Sequence, residues 1–252
     1  MSGQSELDLG LAGRHLLVTG AGGLGRALAG LALGLGMRVT LVDRDEQALA
    51  DAGDSQSLLT MARDVSARDG HDEVLDRAIA RFGRVHAFVP TAAVVRRQHD
   101  PRQVTESDWD AQVSVNQKAV YFWTRAVAEH MKDEGGGAIV HVSSAAGVTG
   151  GVAGTTVYGA TKAAVLAMTH GFARQYGRFG VRVNAVVPGS MDTPMLWVGQ
   201  LPEAAATVAD FSVLGRVGLP AEVARPILFL LSDWASYITG TSLDVDGGWL
   251  FR

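Results

Sequence analysis

The chain has no cysteine among its 252 residues. A disulfide framework, a thiolate-held metal and a cysteine nucleophile are therefore excluded. An excess of basic charge is also missing, since 22 Lys and Arg stand against 26 Asp and Glu for a net charge of -4. Arg96-Arg97 is the only adjacent basic pair. Nucleic acid is not expected as a partner, because it requires a concentrated basic surface. Met1 to Gly10 carries Glu6 and Asp8 and lacks the basic start and apolar run of a signal peptide. The longest charge-free stretch, Gly135 to Thr161, has the length of a membrane span but is crowded with Gly, Ser and Thr and reads as strand plus loop. A cytoplasmic protein with no membrane partner is the expectation. There is no His-Glu-x-x-His spacing, no Gly-Lys-Ser/Thr phosphate loop and no Gly-x-Ser-x-Gly elbow. A metal hydrolase, a P-loop enzyme and a serine esterase are set aside on that ground, and no metal is expected.

Glycine, by contrast, is abundant at 31 residues, which predicts tight turns and close backbone approaches. Short β-rich runs occur at His15 to Thr19, Arg38 to Val42, Val85 to Val89, Ala138 to Ser143, Val181 to Val187 and Ser242 to Val245. Helical spacing fills Gly25 to Leu35, Asp45 to Ala52, Asp69 to Phe82, Glu106 to Lys132, Val157 to Phe179 and Pro220 to Ser232, with Thr105 and Asp108 placed as an N-terminal cap. This alternation predicts an α/β fold, a doubly wound parallel sheet with helices on both faces. No linker, repeat or charge block divides the chain, so residues 1–252 read as one domain. The apolar, turn-rich stretch 191–217 reads as a substrate loop or lid.

The first chemical signal is Thr19-Gly20-Ala21-Gly22-Gly23-Leu24-Gly25, between the first strand and the first helix. Gly20, Gly22 and Gly25 have G-x-G-x-x-G spacing: bare backbone admits a pyrophosphate to the unpaired N–H groups of a helix N-terminus. Asp43 follows Gly20 by 23 positions at the end of the second strand, where a carboxylate accepts from ribose hydroxyls and repels a 2'-phosphate. NAD is therefore expected over NADP, with Arg44 as the neighbouring charge that opposes this choice. The second signal is Tyr158-Gly-Ala-Thr-Lys162, whose spacing sets a phenol and an ammonium on one helix face. A nearby ammonium stabilises a phenolate, so the pair makes a tunable acid/base.

Together these features resemble the short-chain dehydrogenase/reductase family, and the likeness runs from about Ala12 to Gly248. It takes in Asp64-Val65, Asn116 between Trp109 and Phe122, Ser143-Ser144, Arg182-Val183-Asn184, Pro188-Gly189, Thr193 and Asp246-Gly247-Gly248. The resemblance implies a Rossmann-like domain of about seven parallel strands, a nicotinamide cofactor, and reversible hydride transfer between a secondary alcohol and a ketone. It also implies a homotetramer, with the last helix and the Trp249 to Arg252 tail near a subunit contact. Tyr158 is assigned as proton donor or acceptor, Lys162 as the group that lowers its pKa and holds the nicotinamide ribose, and Asn116 as the holder of a relay water. Ser144 is assigned to the reacting oxygen in preference to Ser143, because it fits Ser-x-x-Gly through Gly147. The cofactor set implied is Gly20, Gly22, Gly23, Leu24, Gly25, Asp43, Asp64, Val65, Ala92, Tyr158, Lys162, Pro188, Gly189, Met191 and Thr193.

Three departures stand out. The glycine loop is one residue shorter than the family's usual Thr-Gly-x-x-x-Gly-x-Gly. Pro90-Thr91-Ala92-Ala93 replaces Asn-Asn-Ala-Gly, bringing a proline without an N–H and an extra methyl. Ser144 and Tyr158 lie 14 positions apart, about one more than is common in the family, which suggests a bulkier loop between Gly147 and Thr156. A cofactor-binding sensor without turnover is the alternative that these changes raise. Val94, Val95, Ala145, Gly151, Val152, Met191, Met195, Leu196 and Trp197 are the expected pocket positions. Such a lining favours an uncharged, partly apolar alcohol or ketone, and an inward turn of Arg96 or Arg97 would admit a carboxylate instead.

Overall fold

The computed structural model describes residues 8–251. Met1 to Leu7, within the segment read above for a signal peptide, and Arg252, at the end of the tail, lie outside the described residues. Seven strands are present: β1 His15–Thr19, β2 Arg38–Asp43, β3 Leu58–Ala62, β4 Ala87–Pro90, β5 Gly137–Val142, β6 Val181–Pro188 and β7 Ser242–Val245. They form one sheet in the order β3-β2-β1-β4-β5-β6-β7, and every pairing is parallel. The helices are α1 Gly23–Gly34, α2 Glu46–Ala50, α3 His71–Phe82, α4 Glu106–Val113, α5 Val120–Asp133, α6 Ala146–Thr149, α7 Thr156–Tyr176, α8 Pro194–Trp197, α9 Pro202–Ala206 and α10 Pro220–Leu231.

Alternation along β1 shows how the layers form. Leu16 and Val18 face one core with Leu24 and Leu28 of α1 and Val223 and Ile227 of α10. Leu17 faces the other, with Val74 of α3, Trp123 and Val127 of α5 and Phe172 of α7. Each such side chain, fully buried, contributes roughly 1.5–3 kcal/mol. Both faces of the sheet are thereby covered, as parallel sheets require.

The six strand runs read from the sequence all became strands. The seventh, β3, was not among them: it is an edge strand whose burial follows no two-residue alternation, with Thr60 exposed. The single helical period over Glu106 to Lys132 is broken by a π-helical turn, Ser114–Ala119, between α4 and α5. Thr105 and Asp108 form a reciprocal capping box.

The sheet order reverses between β1 and β4, which opens a crevice at their carboxyl ends. Pro90 fits there because β4 pairs with β1 as far as Pro90 but with β5 only through Ala87 and Phe88. Its missing N–H therefore breaks no ladder bond. The stretch 191–217 leaves the sheet beyond β6 through a neck closed by Gly218 N–H to Ser190 O (2.9 Å) and Asp192 N–H to Gly218 O (2.8 Å).

Candidate active site

A cavity of about 560 Å³ runs along the crevice, from the glycine loop to the 191–217 stretch. At one end lie Gly22, Gly23, Leu24 and Gly25. No side chain caps α1, whose N-cap is Gly22, and a Cβ on Gly22 would meet nothing within 4 Å. The other glycines are enclosed. A Cβ on Gly23 would lie 2.7 Å from Thr193 Cγ2, and one on Gly25 would collide with the Gly20 carbonyl oxygen. Gly20 has φ +107°, and Thr91 Oγ1 donates to its carbonyl at 2.8 Å. An uncapped helix start facing open space suits the diphosphate of a dinucleotide. Thr91 was not singled out from the sequence, since its role depends on a partner 71 residues away.

At the other end stand Ser144, Tyr158 and Lys162. Ser144 follows β5, its Oγ accepts from Ala146 N–H at 3.1 Å, and it shares the cavity lining with Tyr158. Ser143 Oγ instead donates to Lys162 O at 2.8 Å. Gly147 lets the short α6 abut α7, since a Cβ there would lie 2.7 Å from the Lys162 carbonyl carbon. Lys162 is buried, with Nζ donating to Val142 O at 2.9 Å and standing 5.6 Å from the Tyr158 ring centroid.

Burial sets the titration of both groups. Tyr158 is half-buried as a residue, but its hydroxyl lies deep, and this burial pushes its pKa up to about 12, opposed by the nearby Ser144 hydroxyl and the Arg97 charge. Lys162 is brought down to about 8 by burial. Arg97 is thus a second cation acting on the phenol, beside the Lys162 to which the sequence had pointed.

The remaining expected residues divide between the cavity and its supports. Pro188, Gly189, Met191 and Thr193 line it. Asn116 lies behind the wall, fully buried: its Oδ1 accepts from Val94 N–H at 2.8 Å, and its Nδ2 donates to Val94 O (2.8 Å) and Thr161 Oγ1 (3.2 Å). Ala92 lies next to lining residues Thr91 and Ala93, with its N–H on Thr19 O at 2.7 Å. Both oxygens of Asp43 hold backbone, Oδ2 accepting from Ala21 N–H at 2.6 Å and Oδ1 from Asp45 N–H at 3.0 Å. Asp64 accepts from Ser66 and lies 3.9 Å from Arg44, while Val65 O accepts from Trp123 Nε1 at 3.0 Å.

Of the expected pocket positions, Val95, Val152, Met191, Met195 and Leu196 line the cavity. Ala145 is core, and Trp197 turns outward with its indole N–H toward Asp192 Oδ1 at 3.3 Å. The longer loop before α7 brings Val152 and Ala153 to the cavity, Ala153 with φ +49°. Gln200, Val208, Phe211 and Trp249 also line it and were not foreseen. The Phe211 and Trp249 rings stack at 4.6 Å, a pairing across the fold that no local signal announces.

Comparison with known proteins agrees with this geometry. A family model described as enoyl-(acyl carrier protein) reductase matches residues 19–250. The chain is 37% identical over 255 residues to a 3-oxoacyl-acyl-carrier-protein reductase of Thermotoga maritima, covering 94% of this chain and 98% of that protein. Two crystal structures from Brucella melitensis align at 31% identity and TM-score 0.86. One, a short-chain dehydrogenase/reductase titled glucose/ribitol dehydrogenase, has 98% of its length matched by 96% of this chain. The other, a 3-ketoacyl-(acyl-carrier-protein) reductase complexed with NADH, has 99% matched by 95%. These relatives are oxidoreductases and lend nothing to the alternative of a non-catalytic sensor. Matched over nearly its whole length, the chain belongs to the short-chain dehydrogenase/reductase family of NAD(P)-dependent enzymes that interconvert alcohols and carbonyl compounds.

Proposed function

We propose that the protein is an NAD(H)-dependent dehydrogenase in which Tyr158 donates a proton to the oxygen of a ketone, or accepts one from a secondary alcohol. The observation that carries this reading is the cavity that brings Ser144, Tyr158 and Lys162 together with the uncapped start of α1. A bound nicotinamide supplies or accepts the hydride. Ser144 holds the reacting oxygen against Tyr158, and the phenol, raised to about 12, keeps its proton for donation at neutral pH. Lys162 places positive charge beside the developing phenolate and offers N–H donors to the cofactor's ribose. Asn116 acts through Val94 and Thr161 as a positioning residue, fixing the loop after β4 against α7.

Glycine-loop residues, Pro188, Gly189, Met191 and Thr193 form the cofactor wall in this reading, with Ala92, Asp64 and Val65 behind or beside it. The preference for NAD rests on the Asp43 carboxylate at the end of β2, and on Arg44 being drawn toward Asp64 rather than standing free for a phosphate. The stretch 191–217 closes over the substrate. Exposed Trp234 and Tyr237 beyond α10 and Phe251 in the tail provide apolar contact area for a homotetramer, which light scattering tests directly.

The deciding experiment is Tyr158→Phe. The variant keeps NADH binding, followed by fluorescence, and loses about 100-fold or more in kcat on ketones. Retention of full turnover removes Tyr158 from the chemistry. In the wild type, a higher kcat/KM with NADPH than with NADH overturns the cofactor preference.

A further inference from the structure

We propose that Arg97 anchors an anionic group of the substrate, so that this protein acts on carbonyl or alcohol compounds carrying a carboxylate. The proposal rests on the dehydrogenase reading and specifies its substrate class. Arg96 and Arg97 are adjacent in sequence but part company in space: Arg96 is exposed, while Arg97 is half-buried on the lining of the cavity that contains Ser144, Tyr158 and Lys162.

The guanidinium of Arg97 is held, yet not neutralised. Its Nε donates to Val198 O at 2.7 Å and one Nη donates to Leu196 O at 3.0 Å. Gly199, at φ +67°, packs against the stem, where a Cβ would stand 3.4 Å from Arg97 Cβ. These contacts fix the side chain's direction and leave the other N–H bonds of its planar fork unspent, the arrangement that grips a carboxylate through two parallel hydrogen bonds. Among the described residues no carboxylate pairs with it.

The other charged groups on the lining already have partners. Arg26 is paired with Asp51 at 3.0 Å, and Lys162 is committed to Val142 O. The one lining carboxylate, Asp45, caps α2 by accepting from Gln47 and Ala48 N–H at the glycine-loop end. A half-buried cation bears a desolvation cost that an incoming anion offsets. Arg97 and Tyr158 line the same cavity and interact electrostatically, which puts the anion site and the reacting oxygen in one pocket. Gln200 Oε1, also on the lining, is buried without a hydrogen-bond partner, an acceptor suited to a donor hydroxyl on the same guest rather than to its carboxylate. The substrate end is therefore built for a polar, negatively charged molecule, where the apolar residues alone suggested an uncharged one.

The test uses a panel of oxo acids, each paired with its methyl ester, plus neutral ketones, assayed with NADH and with NADPH. Wild-type protein prefers acid to ester by about 10-fold or more in kcat/KM. Arg97→Met brings that ratio close to one, and Arg97→Lys falls between, since a point charge lacks the fork. Circular dichroism and NADH binding verify that the variants are folded. Should neither variant fold, inhibition of the wild type by a carboxylate against its amide reports the same preference. Equal turnover of acid and ester by the wild type, or an equal loss on both in Arg97→Met, overturns the proposal and reduces Arg97 to a latch on residues 196–199. Turnover of neutral ketones in that case leaves the dehydrogenase reading intact. A panel in which nothing turns over, despite NADH binding, counts against both.

Discussion

The ammonium of Lys162 lies 5.6 Å from the centroid of the Tyr158 ring and is hydrogen-bonded to the Val142 carbonyl at 2.9 Å. A Tyr and a Lys four residues apart share a helix face, as the spacing requires. Here that face is turned into the sheet, so both groups lose water and their affinities for protons move apart, Tyr158 upward to about 12 and Lys162 downward to about 8.

The buried lysine makes stability depend on pH. Its unfolded value is near 10.5 and its folded value about 8. Between those limits the unfolded chain holds a proton that the folded chain has released, so folding becomes more favourable as pH rises. Below pH 8 both states are charged and the full cost of about 3 kcal/mol applies. Lys162→Met removes that cost. The variant melts at a higher temperature than wild type at pH 7, and the advantage shrinks between pH 8 and 10.5, while turnover is lost. A lower melting temperature at pH 7 contradicts the assignment.

Two glycines of the same loop separate cofactor binding from folding. A Cβ on Gly22 faces open space at φ -67°, a conformation open to any residue. Gly22→Ala leaves stability within about 0.5 kcal/mol and weakens NADH binding, because the methyl enters the space beside the uncapped N–H groups. Gly25→Ala pushes a methyl onto the Gly20 carbonyl and destabilises the fold by about 1–3 kcal/mol. Thermal melts alongside NADH titrations of both variants check the contrast, and equal behaviour of the two refutes it.

What the sequence revealed, and what it concealed, follows from the range of the forces involved. The central strands β1, β4, β5 and β6 are runs buried along nearly their whole length that identify themselves residue by residue, whereas the edge strand β3 pairs with β2 alone. Ser144 was preferred to Ser143 on the family's Ser-x-x-Gly pattern through Gly147, the residue that lets α6 approach α7 closely. The double hold of Asp43 on Ala21 and Asp45 was not visible, since it depends on the path of a shortened loop. Nor was the inward turn of Arg97, whose direction is fixed by carbonyl groups about a hundred residues further on.

Asp43 therefore carries two duties that one substitution exposes. Asp43→Ala leaves Ala21 N–H without its acceptor and costs about 1–3 kcal/mol of stability. It also removes the negative charge that opposes a 2'-phosphate, so the NADPH to NADH ratio of kcat/KM rises. A fall in melting temperature with an unchanged cofactor ratio confines Asp43 to loop anchoring.

His141 governs the acid side. The ring is fully buried, with Nε2 at 2.8 Å from Thr124 Oγ1 and Nδ1 at 2.9 Å from Thr169 Oγ1. Burial first, and the Lys162 charge second, hold its pKa down to about 3, against 6.5 in the unfolded chain. As pH drops below 6.5 the unfolded state takes up a proton that the folded state refuses, so stability falls by about 1.4 kcal/mol per pH unit until the folded value is reached. His86, lowered to about 4 mainly by burial, adds a loss of the same sign. His141→Gln keeps a side chain able to bond one threonine but has no proton to take up. Its stability at pH 7.5 is lower, yet its decline between pH 6.5 and 5 is shallower by about one proton's worth. Urea denaturation at half-unit pH intervals reads this slope, and parallel declines in the two proteins show that the proton uptake belongs to other groups.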